Sequence, residues 1–199
     1  MTTGAGPEPA REDGRVIRPV LWVICGAGRG VGKTRLALDL CRVLPDAVYA
    51  KQGTSRRRDE KPASYFHGDD ELETFLAAET RAGRRHLVVE SNALARRDFG
   101  DIMVFLDAPV GGKLRGEPRT DAGELRDRAH FRMGLDPATL SPGSGLGASD
   151  DGSRATSETI AVDDLREHLA RLGLDPAAMS AVIEVFQAQD AWNRGGEQS

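Results

Sequence analysis

The sequence predicts an α/β fold, a doubly wound and mainly parallel sheet with helices on both faces, and three observations carry that prediction. Apolar stretches of strand length alternate with stretches of helical periodicity along most of the chain, the order that right-handed crossovers between parallel strands require. The first strand, Val20-Leu21-Trp22-Val23-Ile24-Cys25, is apolar at every position rather than at every second one, as expected of a strand covered on both faces. A glycine-rich turn at 26–32 separates that strand from the first helix.

The elements follow in order. Residues 1–17, rich in Gly, Pro and charge, read as a disordered tail; residues 18–199 read as a single domain, the size expected of a chain of 199 residues. A helix over 34–43 places Leu36, Leu40 and Val43 on one face with Leu38 off it, and ends near Pro45. A second strand is predicted over 46–51, then a long polar loop over 52–70 with Arg56, Arg57, Arg58 and Pro62. A helix over 71–82 carries Leu72, Phe75 and Leu76 and stops at Gly83, half buried because Glu79 interrupts its stripe. Strands are expected over 86–90 and 102–107, a helix over 120–129 and a weak fifth strand over 129–133. Residues 141–156, rich in Gly and Ser, read as a flexible loop before two C-terminal helices within 160–190, over 163–172 and 175–188. Asp175 caps the second, with Pro176 at its first position. Leu165, Leu169 and Leu172 on one helix and Val182, Val185 and Phe186 on the other are most simply core stripes.

Composition excludes several functions. The 27 Lys and Arg stand against 31 Asp and Glu, a formal charge of −4, which argues against nucleic acid as a partner, and 5% aromatic residues leave few stacking platforms. No run approaches the length of a membrane span and the N-terminus lacks the order of a signal peptide, so the expected location is the cytoplasm, with no membrane partner. Cys25 and Cys41 have no metal-ligand spacing and read as buried free thiols. The scattered His67, His86, His130 and His168 form no metal or nucleophile pattern.

The chemistry lies in the turn. Ala27-Gly28-Arg29-Gly30-Val31-Gly32-Lys33-Thr34 has the spacing of a Walker A phosphate loop with Ala in the first glycine position; Gly26 stands one residue too early to replace it. Gly28, Gly30 and Gly32 are expected to let backbone N–H groups turn inward around an anion, at the positive end of the following helix. Lys33 supplies a mobile charge for β and γ phosphates; a pair of unit charges about 4 Å apart attracts by about 4 kcal/mol at an effective dielectric near 20, before desolvation. Thr34 offers a hydroxyl to Mg²⁺, and Arg35 follows within reach of the same ligand. The expected binding residues are therefore Ala27 to Arg35, in a P-loop NTPase type of fold.

Such a site needs a carboxylate at a neighbouring strand end to hold the Mg²⁺ shell or orient water. Glu90 and Asp107 both end predicted strands, and ligands gather at carboxyl ends in doubly wound sheets. Glu90 is favoured, with Ser91 and Asn92 adding polar groups beside it, and the expected metal set is Thr34, Glu90 and Asp107. Lys51, ending the second strand, either reaches bound phosphate or is a solvated strand end. Arg56, Arg57 and Arg58 suit an anion, although a charge run is more often a solvated loop.

Together these residues resemble the MobB type of P-loop protein, the GTP-binding adaptor family of molybdopterin-guanine dinucleotide biosynthesis. The likeness rests on the strand and 27–34 loop, the second strand ending in Lys51, the segment Val88-Val89-Glu90-Ser91-Asn92-Ala93-Leu94, and the strand Ile102-Met103-Val104-Phe105-Leu106 after Asp101. It covers residues 18–133. Gln52 and Gly53 stand where the family tends to show histidines, and the Asn/Thr-Lys-x-Asp guanine motif of most GTPases is absent. The early lysine of dimer-forming relatives is replaced by Gly28, though a homodimer stays open. The resemblance implies Mg²⁺ and GTP or ATP as ligands, slow hydrolysis with Lys33 and Glu90 as catalytic residues, and a partner enzyme. Two other readings compete: a small-molecule kinase with an arginine-bearing lid (Lys113, Arg115, Arg119, Arg126, Arg128), and a non-catalytic nucleotide sensor.

Overall fold

A computed structural model of the chain describes residues 11–12, 15–16, 18–53, 64–107, 119–133 and 157–193. The expected flexible loop at 141–156 and the run Arg56, Arg57, Arg58 lie outside the described residues, as do Lys113 and Arg115. Within the stretch read as a tail, β1 (Arg11–Glu12) pairs antiparallel with β2 (Arg15–Val16).

The main sheet and its helices run β3 (Val20–Gly26), α1 (Lys33–Val43), β4 (Ala47–Gln52), β5 (Tyr65–Phe66), α2 (Asp69–Arg81), β6 (His86–Glu90), α3 (Asn92–Arg96), β7 (Ile102–Leu106), α4 (Ala122–Arg128), β8 (Phe131–Met133), α5 (Ser157–Arg171) and α6 (Pro176–Asn193). The six strands lie in the order β5-β4-β6-β3-β7-β8 and every neighbouring pair is parallel. This is the doubly wound α/β sheet the alternation predicted, with β3 and its loop near the middle.

Side-chain alternation divides the core into two layers. Trp22 and Ile24 of β3 point to one face, where they meet Leu36 and Leu40 of α1, Leu165 and Leu169 of α5, and Val182 and Phe186 of α6. Leu21, Val23 and Cys25 point to the other, against Leu72 and Leu76 of α2, Leu94 of α3 and Leu125 of α4. That explains the unbroken apolar run of β3: both parities are buried, each large side chain contributing about 1.5–3 kcal/mol. Leu38, off the helical stripe, is 40% exposed. Both C-terminal stripes are core, as expected, and Asp175 caps α6 by accepting from the Ala178 N–H at 2.9 Å.

Besides β1 and β2, two elements differ from the expectation. The loop over 52–70 contains β5, a two-residue edge strand paired with Lys51 and Gln52, too short to leave a period in the sequence. The residues after Glu90 form α3, capped by Ser91, whose Oγ accepts from the Leu94 N–H at 3.0 Å; five residues give less than two helical turns of pattern. Both cysteines are free, with Cys25 fully buried and Cys41 partly so. Burial pushes the Cys25 thiol up to about 12 and the Cys41 thiol to about 11, so both stay protonated and inert.

Candidate functional site

The 27–34 loop leaves β3 at the carboxyl edge of the sheet. Gly26 is held from two sides: its N–H donates to Asn92 Oδ1 and its carbonyl accepts from Asn92 Nδ2, each at 3.3 Å. A Cβ on Gly26 would stand 2.7 Å from the Leu106 carbonyl oxygen, so glycine here permits the close approach of β7. Ala27 continues that contact, its N–H donating to Leu106 O at 2.9 Å and its carbonyl accepting from the Arg119 N–H at 3.0 Å. The first-position alanine is therefore part of the wall, and the backbone turn begins after it.

Of the three expected turn glycines, Gly30 and Gly32 take left-handed backbone (φ 85° and 92°) and Gly28 does not. Gly28 instead presents its carbonyl to Lys33, whose ammonium donates to it across the loop. Val31 is fully buried in the α1 layer and anchors the loop, leaving only its backbone for a ligand, whereas Arg29 is exposed at the tip. Burial pulls the Lys33 ammonium below its ordinary range, opposed by the negative charge of Glu90 and reinforced by Lys51.

Glu90 is the centre of the site. In register, Ile24, Glu90 and Lys51 stand side by side across β3, β6 and β4, and Ile24 faces α1, so all three share the α1 face. Thr34, in the first turn of α1, donates its hydroxyl to Glu90 Oε2 at 2.7 Å. The Lys51 ammonium lies 3.2 Å from the same oxygen and donates to Thr34 Oγ1 at 3.1 Å. Tyr49, two residues before Lys51 and hence on the same face, donates its hydroxyl to Glu90 Oε2 at 3.0 Å. Burial foremost, and then the Glu90 charge, push the Tyr49 phenol well above its ordinary range, so it remains a donor. Lys51 is thus no solvated strand end: its side chain is 22% exposed and closes a Thr34–Glu90–Lys51 triangle.

Ser91 donates to Gln52 Oε1 at 2.6 Å while capping α3, and Gln52 donates on to Asp69 at the start of α2. This chain of polar contacts ties the end of β4 to the N-cap of α3 and the start of α2. Tyr49 and Gln52 are the supporting residues that motif reading gave no role, whereas Asn92, expected as a polar neighbour of Glu90, holds Gly26. Strand alternation flags Tyr49, two positions before Lys51, and the role of Gln52 becomes legible only with the register.

Asp107 is arranged differently. Its carboxylate is 8% exposed, pairs with Arg126 of α4, and lies on the β7 side of the loop. Burial raises its pKa and Arg126 lowers it, with burial the stronger. The structure brings Thr34, Glu90 and Lys51 together and leaves Asp107 out: among the described residues its side-chain partner is Arg126, not Thr34, Glu90 or Lys51. The described lid arginines are likewise engaged, Arg119 with Asp121 at 2.8 Å and Arg128 with Glu124 at 2.7 Å.

Among the described residues no cluster of three His, Cys, Asp or Glu is placed to cage a metal. A hydroxyl and a carboxylate oxygen 2.7 Å apart instead fit a Mg²⁺ ion that takes one or two protein oxygens and keeps phosphate and water for the rest. No helix among the described residues is long and apolar enough to cross a membrane. Compared with protein-family models and with curated proteins, the chain matches none.

Proposed function

We propose that this chain binds a Mg²⁺–nucleoside triphosphate at the 27–34 loop and hydrolyses it slowly, with GTP the first candidate and ATP the second, as an adaptor of the MobB kind in molybdenum cofactor assembly. The observation that carries the nucleotide reading is the meeting of Thr34, Lys51 and Tyr49 on one oxygen of Glu90, beside a glycine turn that carries Lys33. The guanine base and the adaptor role rest on the resemblance alone.

In this reading the loop amides and the N-terminus of α1 receive the polyphosphate. Lys33 leaves the Gly28 carbonyl for the β and γ oxygens, where its charge counts more in the transition state than in the ground state. Thr34 and Glu90 would hold Mg²⁺, which when bound would supply charge that neutralises the phosphates. Glu90, fixed by Tyr49, orients the attacking water, and Lys51 offsets its charge and can turn toward the terminal phosphate. Hydrolysis is preferred to the kinase alternative because the described arginines of its lid, Arg119, Arg126 and Arg128, each pair with a carboxylate.

The test follows a labelled γ-phosphate from Mg–GTP or Mg–ATP, with and without a pool of small-molecule acceptors. Free phosphate is expected; transfer to an acceptor would replace hydrolysis by phosphotransfer. Lys33→Ala is expected to lose nucleotide-dependent thermal stabilisation, and a variant stabilised as strongly as the parent would refute the site.

A further inference from the structure

Helix α6 reaches the phosphate loop and borders it on one flank. A Cβ on Gly32 would lie 2.6 Å from Gln189 Nε2 and 2.9 Å from Trp192 Cζ3, so the last turns of α6 stand against the residue that precedes Lys33. The same indole stacks with the residue that follows Thr34: the Arg35 guanidinium carbon is 5.3 Å from the Trp192 ring centroid, a cation–π distance. Trp192 is partly exposed and Arg35 exposed. Because α6 packs on both α1 and β8, it lies on the β7–β8 side of α1, whereas Thr34, Glu90 and Lys51 gather on the β6–β4 side.

These two flanks give the loop a direction. If the terminal phosphate and its cation sit by Thr34 and Glu90, the rest of a nucleotide must leave the loop on the opposite side. The flat groups waiting there are the Arg35 guanidinium and the Trp192 indole. We propose that the Trp192–Arg35 stack is the platform on which the nucleobase lies. This rests on the nucleotide reading of the loop and adds to it the polarity of the bound molecule and the residue that holds its base. Stacking accepts any base, since each presents a π face. The platform therefore raises affinity for purine nucleotides as a class and does not choose between guanine and adenine.

The experiment compares Mg–GTP, Mg–ATP and magnesium tripolyphosphate, which has the phosphates without the base, on the full chain and on Trp192→Ala and Trp192→Phe. In the parent, both nucleotides are expected to quench indole fluorescence and tripolyphosphate to leave it unchanged; the other tryptophan, Trp22, is fully buried in the core and gives a constant background. Trp192→Ala is expected to weaken both nucleotides about tenfold and tripolyphosphate not at all, with Trp192→Phe recovering most of the loss. Equal weakening of all three ligands would reduce Trp192 to a support for the loop, and unchanged nucleotide affinity in Trp192→Ala would remove the platform; either overturns the proposal while leaving the phosphate site standing. Failure of the parent to bind tripolyphosphate and both nucleotides would overturn the site and the platform together. Should Trp192→Ala melt early, Trp192→Phe carries the test: quenching by nucleotide must vanish with the indole while affinity stays within about threefold of the parent.

Discussion

Glu90 ends β6 and Asp107 directly follows β7, the two strands that flank β3, and the two residues are equally buried, each 6% exposed. Along the sheet they are offset, Glu90 standing level with Ile24 and Val104 and Asp107 lying beyond Leu106, which is level with Gly26; by parity they are opposite. Glu90 shares its side of β6 with Val88, which faces α1, whereas Asp107 shares its side of β7 with Met103 and Phe105, which face α4. Glu90 therefore meets Thr34 of α1, and Asp107 meets Arg126 of α4. A carboxylate at the right edge of a doubly wound sheet is only half of a metal-site argument. The other half is the face, and the 27–34 loop belongs to the face of the helix it opens.

The largest separation of the two is expected from Glu90→Ala. It leaves the Lys51 charge and the Tyr49 hydroxyl without their shared acceptor in a part-buried setting, which should cost about 3 kcal/mol of stability as well as phosphate release from Mg–nucleotide. Urea unfolding and a phosphate assay on the same preparation check both. Retention of turnover in a folded Glu90→Ala would remove Glu90 from the site.

A second contrast lies within β6, which carries a buried polar residue at each end. His86, 4% exposed at the amino end, accepts from the Trp22 indole N–H at 3.4 Å. Burial foremost, with the Arg85 charge, lowers its pKa from 6.5 to about 4. The folded form thus prefers neutral imidazole while the unfolded chain takes up a proton below 6.5. Stability from this source is complete above pH 6.5 and is lost as pH falls through that value toward about 4. The loss is expected to reach about 2 kcal/mol and to be much flatter in His86→Asn, while Glu90→Ala keeps it. A pH series of urea midpoints over the three proteins decides whether acid sensitivity belongs to the core end of β6 or to its site end.

The sequence carried most of this architecture because its strands are covered on both faces and its helices are amphipathic. Strand β6 was legible to the residue, and β3, α1 and β7 to within one at either end. The turn was legible in part, with Gly30 and Gly32 in the left-handed region and Gly28 not. Pairings were less accessible. Parity along each strand is readable from the residues but not which helix covers which parity, so Glu90 was favoured over Asp107 only for its polar neighbours Ser91 and Asn92 until the order β6-β3-β7 placed α1 over one side. Tyr49 was hidden for a related reason: in a half-buried strand it looks like any aromatic core residue until its hydroxyl is found against Glu90. Trp192 lies far along the chain from the loop it borders, and only the packing of α6 on α1 brings them together.

Asp107→Asn is expected to be mild, because the amide keeps an oxygen acceptor for Arg126 and removes a buried charge. Arg126 remains 41% exposed and can turn to water, so the cost should be about 1 kcal/mol, read as a small shift in melting temperature, with nucleotide binding and phosphate release within about twofold of the parent. A Mg²⁺-dependent loss of turnover in this variant would return Asp107 to the metal set and undo the division by face.

Tyr49→Phe is expected to change stability as little as Asp107→Asn does, and it is the most discriminating substitution within the Glu90 cluster. The change keeps the ring in the α1 layer, where Tyr49 is 8% exposed, and deletes one of the three donors on Glu90 Oε2. Losing a single hydrogen bond to a carboxylate that keeps two other partners should cost about 0.5–1.5 kcal/mol. If Tyr49 only packs, turnover should follow wild type once the protein is folded. If it positions Glu90, the phosphate-release rate should fall severalfold while the nucleotide Kd stays put, because the loop and Lys33 proposed to grip the phosphates are untouched. A matched fall in rate and affinity would mean that the hydroxyl supports the loop as a whole, and that the three donors on Glu90 are a structural knot rather than a device for aiming its second oxygen.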